Sequence, residues 1–342
     1  VKLSGNERIL VLKPSSLGDI VHTLPAVSAI HRALPGTNID WLVNTEWSPL
    51  LEGVSFLDHL IPFPRREFKG LGGLFRARNW AEDQLAGRDY DLALDFQGLL
   101  RSSLLGKLSG AKRRFGFSNA REGAHCLYHE AICVQDWKTT HAVDRNRQLV
   151  AALGIETTPV EFPLPSGDAV AIPEKFKDRP VLLHPFSRGK GKSLSATEVM
   201  ELCEQVAPHP VWLVGVAGDE ANREWPDNVL NLLNQTTLPQ LIHLLREAAW
   251  SISVDSGPMH LAAAISDRVL SIHTWSDPKM VGPWRPEALV WRDSCILPVR
   301  ELEEEMFPER RDLRDSFAKR ERLLEKEDIA AIAEITREKL TP

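Results

Sequence analysis

Short, unbroken apolar runs recur along this chain, each giving way to a polar loop and then to a stretch of helical periodicity. Ile9-Leu-Val-Leu12 ends at Lys13-Pro14-Ser15-Ser16-Leu17-Gly18, and from Asp19 to Leu34 apolar residues return at Ile20, Leu24, Val27, Ile30, Ala33 and Leu34 before Pro35-Gly36 stops the pattern. Ile39-Asp-Trp-Leu-Val43 and Leu92-Ala-Leu-Asp-Phe96 start the cycle again. A strand buried on both faces shows no alternation, a 3.6 period marks the helix that covers it, and strands joined by helices pair in parallel. This predicts a doubly wound α/β domain.

Around Pro163, Pro165, Pro173 and Pro180 the period is lost, which predicts an interdomain linker. Beyond it the alternation resumes, with strands expected over 181–184, 211–214, 251–254 and 269–273 and helices over 195–207, 238–248 and 258–265. At roughly 150 residues per domain, 342 residues suit two domains. The expected organisation is a Rossmann-like domain over 1–165, a linker over 166–180, a second Rossmann-like domain over 181–310 and a charged helical tail over 311–342 packed as a surface helix on one or both lobes, with a cleft between the two lobes. Ligands of such sheets sit outside the carboxyl ends of the strands, so the loops there are where chemistry is expected.

Apolar residues make up 43% and charged residues 26% of the chain, an ordinary globular balance that excludes disordered or collagen-like structure. The formal net charge of −6 asks for no nucleic acid. It is unevenly spread, because residues Arg65 to Arg121 hold twelve basic and six acidic side chains. Such an island is either a solvated, salt-bridged surface or the footprint of an anionic partner. Cys126, Cys133, Cys203 and Cys295 form no CxxC pair and no zinc spacing, as expected of reduced thiols. No apolar run approaches the ~18 residues of a membrane span, and the opening residues lack a signal-peptide core, so a soluble cytoplasmic protein is expected.

Three strand-end loops carry the chemistry. In the first, Asp19 stands at the start of a helix, either as its cap or as a general base for an attacking hydroxyl; no GxGxxG accompanies it. The second, His184-Pro-Phe-Ser187-Arg-Gly-Lys190-Gly-Lys192-Ser193, ends like a P-loop but lacks the first glycine of that motif, and its basic content suits a phosphate or pyrophosphate. The third, Asp255-Ser256-Gly257-Pro258-Met259-His260, offers capping residues and a helix start able to hold a diphosphate. Gly215 to Glu220 adds carboxylates suited to ribose hydroxyls. Asp89-Tyr90-Asp91 has the form of a metal-binding DxD, but it precedes its strand and is read as a loop or cap.

Together these segments resemble glycosyltransferase family 9, the ADP-heptose:lipopolysaccharide heptosyltransferases, and within it the heptosyltransferase I branch. Lys13-Pro-Ser-Ser-Leu-Gly-Asp19-Ile-Val-His22-Thr-Leu-Pro is close to the family's K-x-S-S-x-G-D-x-x-H-x-x-P. Asp95-Phe-Gln97-Gly-Leu-Leu-Arg101-Ser resembles D-x-Q-G-L-x-K-S with arginine for lysine, and 141–147 resembles a further first-domain motif. Asp255 to His260 matches D-[ST]-G-x-x-H, and Ser276-Asp277-Pro278 matches T-D-P.

The resemblance implies a GT-B fold and an inverting transfer from ADP-heptose to the Kdo-bearing inner core of a lipid A precursor, without a cofactor or metal. It implies Asp19 as catalytic base and donor binding by Ser187, Lys190 or Lys192, Asp219 or Glu220, and Asp255, Ser256, Gly257, Pro258, Met259 and His260. One extra residue before the lysine and the loss of the family's K-x-W-P leave the choice between Lys190 and Lys192 open. Acceptor binding falls to Ser16, Gly18, His22, Gln97 and Arg101, with Arg65, Arg66, Lys69, Arg121, Arg145 and Arg147 facing the acceptor's anionic groups. The partners expected are the nucleotide sugar and an anionic glycolipid at the inner membrane surface, met by a monomer. Competing readings are a same-family transferase for another saccharide or protein acceptor, and a P-loop-like phosphotransferase.

Overall fold

The computed structural model describes residues 3–68 and 71–341. The chain divides into two compact units, Val1–Pro165 and Ser166–Pro342. The first unit runs β1 (Arg8–Leu12), α1 (Leu17–Ala33), β2 (Asn38–Asn44), β3 (His59–Phe63), α2 (Leu71–Gln84), β4 (Leu92–Asp95), α3 (Leu100–Leu108), β5 (Arg113–Phe117), β6 (Glu130–Ile132) and α4 (Ala142–Ala151). The second runs β7 (Val181–His184), α5 (Ala196–Val206), β8 (Val211–Leu213), β9 (Val229–Asn231), α6 (Leu238–Glu247), β10 (Trp250–Val254), α7 (Gly257–Ile265), β11 (Val269–Ile272), α8 (Pro278–Val281), β12 (Leu289–Arg292), β13 (Cys295–Pro298), α9 (Arg314–Phe317) and α10 (Lys326–Leu340).

The sheets are ordered β3-β2-β1-β4-β5-β6 and β13-β12-β11-β10-β7-β8-β9, and every pairing is parallel except β12 with β13. This is the α/β, doubly wound, Rossmann-like organisation of GT-B proteins, repeated in both units. In each sheet the first strand pairs with the second on one side and with the fourth on the other, so the connections diverge at β1/β4 and at β7/β10. Backbone groups beyond those strand ends are left without a covering helix, which makes them the binding edge.

Burial explains the strands. Ile9, Leu10, Val11, Ile252 and Val254 are inaccessible to solvent, as strands covered on both faces require. One face of the first sheet packs Leu10, Leu12, Leu42, Phe63 and Tyr90 with Ala81 and Leu85. The charged tail packs on the second unit: Ile329, Ile332, Ala333 and Leu340 of α10 are buried with Val199 and Leu202 of α5. The carboxylate of Glu198, itself buried, fastens the incoming segment by accepting from the backbone N–H groups of Leu323 (2.7 Å) and Leu324 (2.6 Å).

One glycine is demanded by packing near the binding edge. A Cβ at Gly116 in β5 would fall inside the Tyr128 ring, and that ring carries a hydroxyl donating to Asp95 (2.8 Å) at the end of β4. Gly116→Ala is expected to lower stability by about 1–3 kcal/mol, the cost of overpacking, whereas Tyr128→Phe removes only a hydrogen bond to a charged group, about 1.5–3 kcal/mol. Thermal unfolding of both variants, with Gly116→Ala combined with Tyr128→Leu restoring part of the loss, checks this account.

Candidate active site

In the first unit the loops after β1 and β4 are tied to each other. The buried ammonium of Lys13 donates to the Phe96 carbonyl (2.9 Å), and the Ser15 N–H donates to Gln97 Oε1 (3.2 Å). Asp95 holds the turn that presents Gln97, accepting from the N–H groups of Gln97 (2.9 Å) and Gly98 (3.1 Å) and from the hydroxyls of Ser102 and Tyr128 (2.8 Å each). Burial pushes its carboxyl upward and these four bonds pull against it; the net direction is up. Gly98, at φ +65°, supplies the left-handed residue this turn needs.

Asp19 occupies the first turn of α1, exposed, and its Oδ2 accepts from both the N–H (3.0 Å) and the hydroxyl (2.7 Å) of Ser16. The cap and the candidate base are therefore the same carboxylate. Gly18 is buried within that turn, and His22, one turn further on and 5% exposed, meets His141 edge-on at 5.3 Å. Asn146 of α4 donates to the His22 carbonyl (3.0 Å) and to Thr23 Oγ1 (3.1 Å), fixing this stretch of α1.

The basic island separates into two groups. Arg66 pairs with Glu46 (3.1 Å), Arg78 with Glu82, Arg88 with buried Asp40, Lys112 with Asp91 and Arg113 with Glu130. Arg147 pairs with Asp144, and the Arg145 guanidinium lies over the Trp137 ring at 4.6 Å. Arg65, Arg101 and Arg121 are exposed and make no ion pair among the described residues. Lys69 lies outside the described residues. Arg121 stands beside the Gln97 turn, its N–H donating to the Gly98 carbonyl (2.9 Å). Asp89-Tyr90-Asp91 serves structure, with the Tyr90 hydroxyl on Asp40 (2.7 Å) and Asp91 accepting from the Arg8 N–H (3.0 Å) and from Lys112 (2.7 Å).

In the second unit the loops after β7, β10 and β11 converge on one carboxylate. Asp255 Oδ2 accepts from Lys192 Nζ (2.5 Å) and from the Ser276 hydroxyl, and it stands 3.9 Å from His273 Nδ1. Burial alone would raise this carboxyl; the Lys192 ammonium and the Ser276 hydroxyl outweigh it and hold it below the ordinary carboxylate range. His273 and His184, both buried, are pushed down to about 4 chiefly by loss of solvent and are neutral at pH 7. Of the two loop lysines, Lys192 turns into this network, whereas Lys190 is exposed and lies 3.4 Å from Asp315.

The start of α7 is left open by its own capping residue. The Ser256 hydroxyl donates to the Val254 carbonyl (3.1 Å) and sits 3.2 Å from His184 Nδ1, so neither it nor Asp255 caps the helix as the sequence suggested. By contrast Ser195 and Thr237 cap α5 and α6. Among the described residues the N–H groups of Ser256 and Gly257 have no acceptor, which leaves donors and the positive helix end for an anion. Pro258 starts the helix without an N–H, the Met259 side chain is buried and its N–H is used by Ser256, and His260 is half-buried one turn in.

The loop bearing Ser187 closes on itself, with the Ser187 N–H donating to Ser193 Oγ (2.8 Å) and Ser187 Oγ accepting from the Gly189 N–H (3.1 Å). Ser193 is thus committed within the loop, and α5 starts at Ala196, so Gly191-Lys192-Ser193 does not open a helix as a P-loop does. Asp219 is exposed after β8, and Glu220 accepts from the Gly218 N–H (3.1 Å). Asp95, Tyr128, His184, His273 and Ser276 were not singled out from sequence as site residues. Asp95, Ser276 and His184 lie in segments the sequence had marked, the D-x-Q-G and T-D-P motifs and the second strand-end loop, while Tyr128 and His273 are recognisable only once distant segments meet.

The sequence model of glycosyltransferase family 9 (heptosyltransferase) matches residues 80–303. Lipopolysaccharide heptosyltransferase 1 of Pseudomonas aeruginosa is 31% identical over 297 residues, 81% of each chain. The solved structure of Escherichia coli heptosyltransferase WaaC with ADP is similar at a TM-score of 0.67 and 26% identity, covering 87% of this chain and 96% of that one. The same enzyme with ADP-2-deoxy-2-fluoro heptose is similar at a TM-score of 0.68 and 26% identity, covering 83% and 93%. This chain belongs to glycosyltransferase family 9, the heptosyltransferase family, and is a glycosyltransferase.

Proposed function

We propose that the protein transfers heptose from ADP-heptose to a Kdo residue of a lipid A precursor with inversion at the anomeric carbon, at the cytoplasmic face of the inner membrane. The observation that supports this reading is the uncapped start of α7 beside Lys192, an arrangement suited to a diphosphate, in a chain similar to an enzyme solved with ADP and with an ADP-heptose analogue. No described helix is long and apolar enough to cross a membrane.

In this reading the donor diphosphate meets the N–H groups of Ser256 and Gly257 and the Lys192 ammonium, with His260 nearby and Asp219 or Glu220 on the ribose. Asp19 of the first unit faces the acceptor, assisted by Gln97, Arg101 and Arg121. The acceptor oxygen bonds to the anomeric carbon as the bond to the diphosphate oxygen breaks; ADP leaves with the electron pair and Asp19 takes the hydroxyl proton. Charge growing on the leaving diphosphate is met by donors already in place, which favours the transition state over the ground state. Asp255 keeps Lys192 aimed at the loop mouth.

Asp19→Asn is expected to lower turnover at least about a hundredfold, the low end for general base catalysis, while calorimetric ADP affinity stays near wild type; turnover within a few-fold of wild type removes Asp19 from the role. Lys192→Met should weaken ADP binding about tenfold to a hundredfold, as for hydrogen bonds to charged groups, whereas Lys190→Met, on an exposed pair, should change it less than about threefold. Equal losses for the two lysines would contradict the assignment.

A further inference from the structure

The Lys192 ammonium has a neighbour besides Asp255. It lies over the face of the Trp275 indole, 4.4 Å from the ring centroid. The ring is held firmly: Trp275 Nε1 donates to the Lys190 carbonyl (3.0 Å), and the Trp275 carbonyl accepts from the Arg310 N–H (2.7 Å). On either side of it, Thr274 Oγ1 donates to the Gly191 carbonyl (2.6 Å) and Ser276 donates to Asp255. The fully buried Arg292 guanidinium donates to the carbonyls of Ser276 and Pro308 (2.9 Å for the latter), so the loop after β11 is fixed from beneath.

A carboxylate and an indole hold an ammonium by different means. Asp255 contributes a full opposite charge, which opposes the lysine's attraction for any other anion. The indole contributes only the negative face of its quadrupole, so it locates the ammonium without neutralising it. Trp275 also clasps the backbone of the same loop through Lys190, so one side chain sets both the path of residues 190–192 and the end point of the lysine.

We propose that Trp275 is a positioning residue for the donor diphosphate, its ring face carrying the Lys192 ammonium so that the lysine meets the phosphates in place. The inference rests on the reading of Lys192 as a diphosphate ligand. Trp275 acts through Lys192, so its effect must vanish when the lysine's charge is removed.

The test is a double-mutant cycle read by calorimetric ADP binding to the full chain. Trp275→Leu should weaken ADP binding about tenfold, within the range of a partly desolvated cation–π contact. Trp275→Phe, which keeps an aromatic face, should stay within about threefold of wild type. On a Lys192→Met background, Trp275→Leu should add less than about twofold. Wild-type affinity in Trp275→Leu, equal losses for Leu and Phe, or the full loss persisting on the Lys192→Met background would overturn the inference. Should Trp275→Leu fail to fold, Trp275→Met is read in the same cycle, with the same losses expected and the same outcomes overturning the inference. Unchanged ADP affinity in Lys192→Met would overturn the diphosphate assignment itself and the inference with it.

Discussion

In both units the parallel sheet forces the helical connections apart beside its first strand, at β1/β4 and at β7/β10, and everything chemical in this protein follows from what occupies those gaps. At such an edge the backbone runs out of strand partners before it reaches a helix, so polar side chains must complete the hydrogen bonding. In the first unit Lys13, Gln97 and Asp95 do so across the two loops. In the second the same task falls to a charged network around Asp255.

The second network also shows how burial and function are reconciled. An ionised carboxylate that is only 4% exposed is tolerable because Lys192 and Ser276 bond it directly and two neutral histidines surround the strand ends without adding positive charge. Removing Lys192 would leave a buried charge uncompensated, and removing Ser276 would cost it a hydrogen bond. Ser256 turns away from the helix it precedes and toward His184, which forgoes a cap and leaves the α7 N–H groups open to an anion.

Much of this was legible in the sequence wherever burial leaves no alternative. The runs Ile9 to Leu12, Val181 to His184 and Ser251 to Val254 form strands at or within a residue of the expected bounds, and the helices over 238–247 and 257–265 follow their period closely. The short strands β3, β5, β6, β9, β12 and β13 escaped notice, because Pro62 interrupts β3, arginines lead β5 and three or four residues give too little pattern to read. A glycine-flanked loop did not separate Lys190 from Lys192; the structure brings Lys192 alone of the two against Asp255, 63 positions away. The basic island was overcounted for a related reason, since Glu46, Asp40 and Glu130 come from other strands and connections to pair with Arg66, Arg88 and Arg113. Of the arginines singled out in the island, Arg65, Arg101 and Arg121 remain exposed without an ion pair among the described residues.

The central claim, that these two edges serve transfer from an ADP-linked heptose to a lipid A precursor, is tested most directly by assaying nucleoside diphosphate release over a panel of nucleotide sugars and acceptors. The account predicts release of ADP from ADP-heptose only when the Kdo-bearing lipid A precursor is present. Release from UDP- or GDP-sugars alone, or none from ADP-heptose with that acceptor, would contradict it.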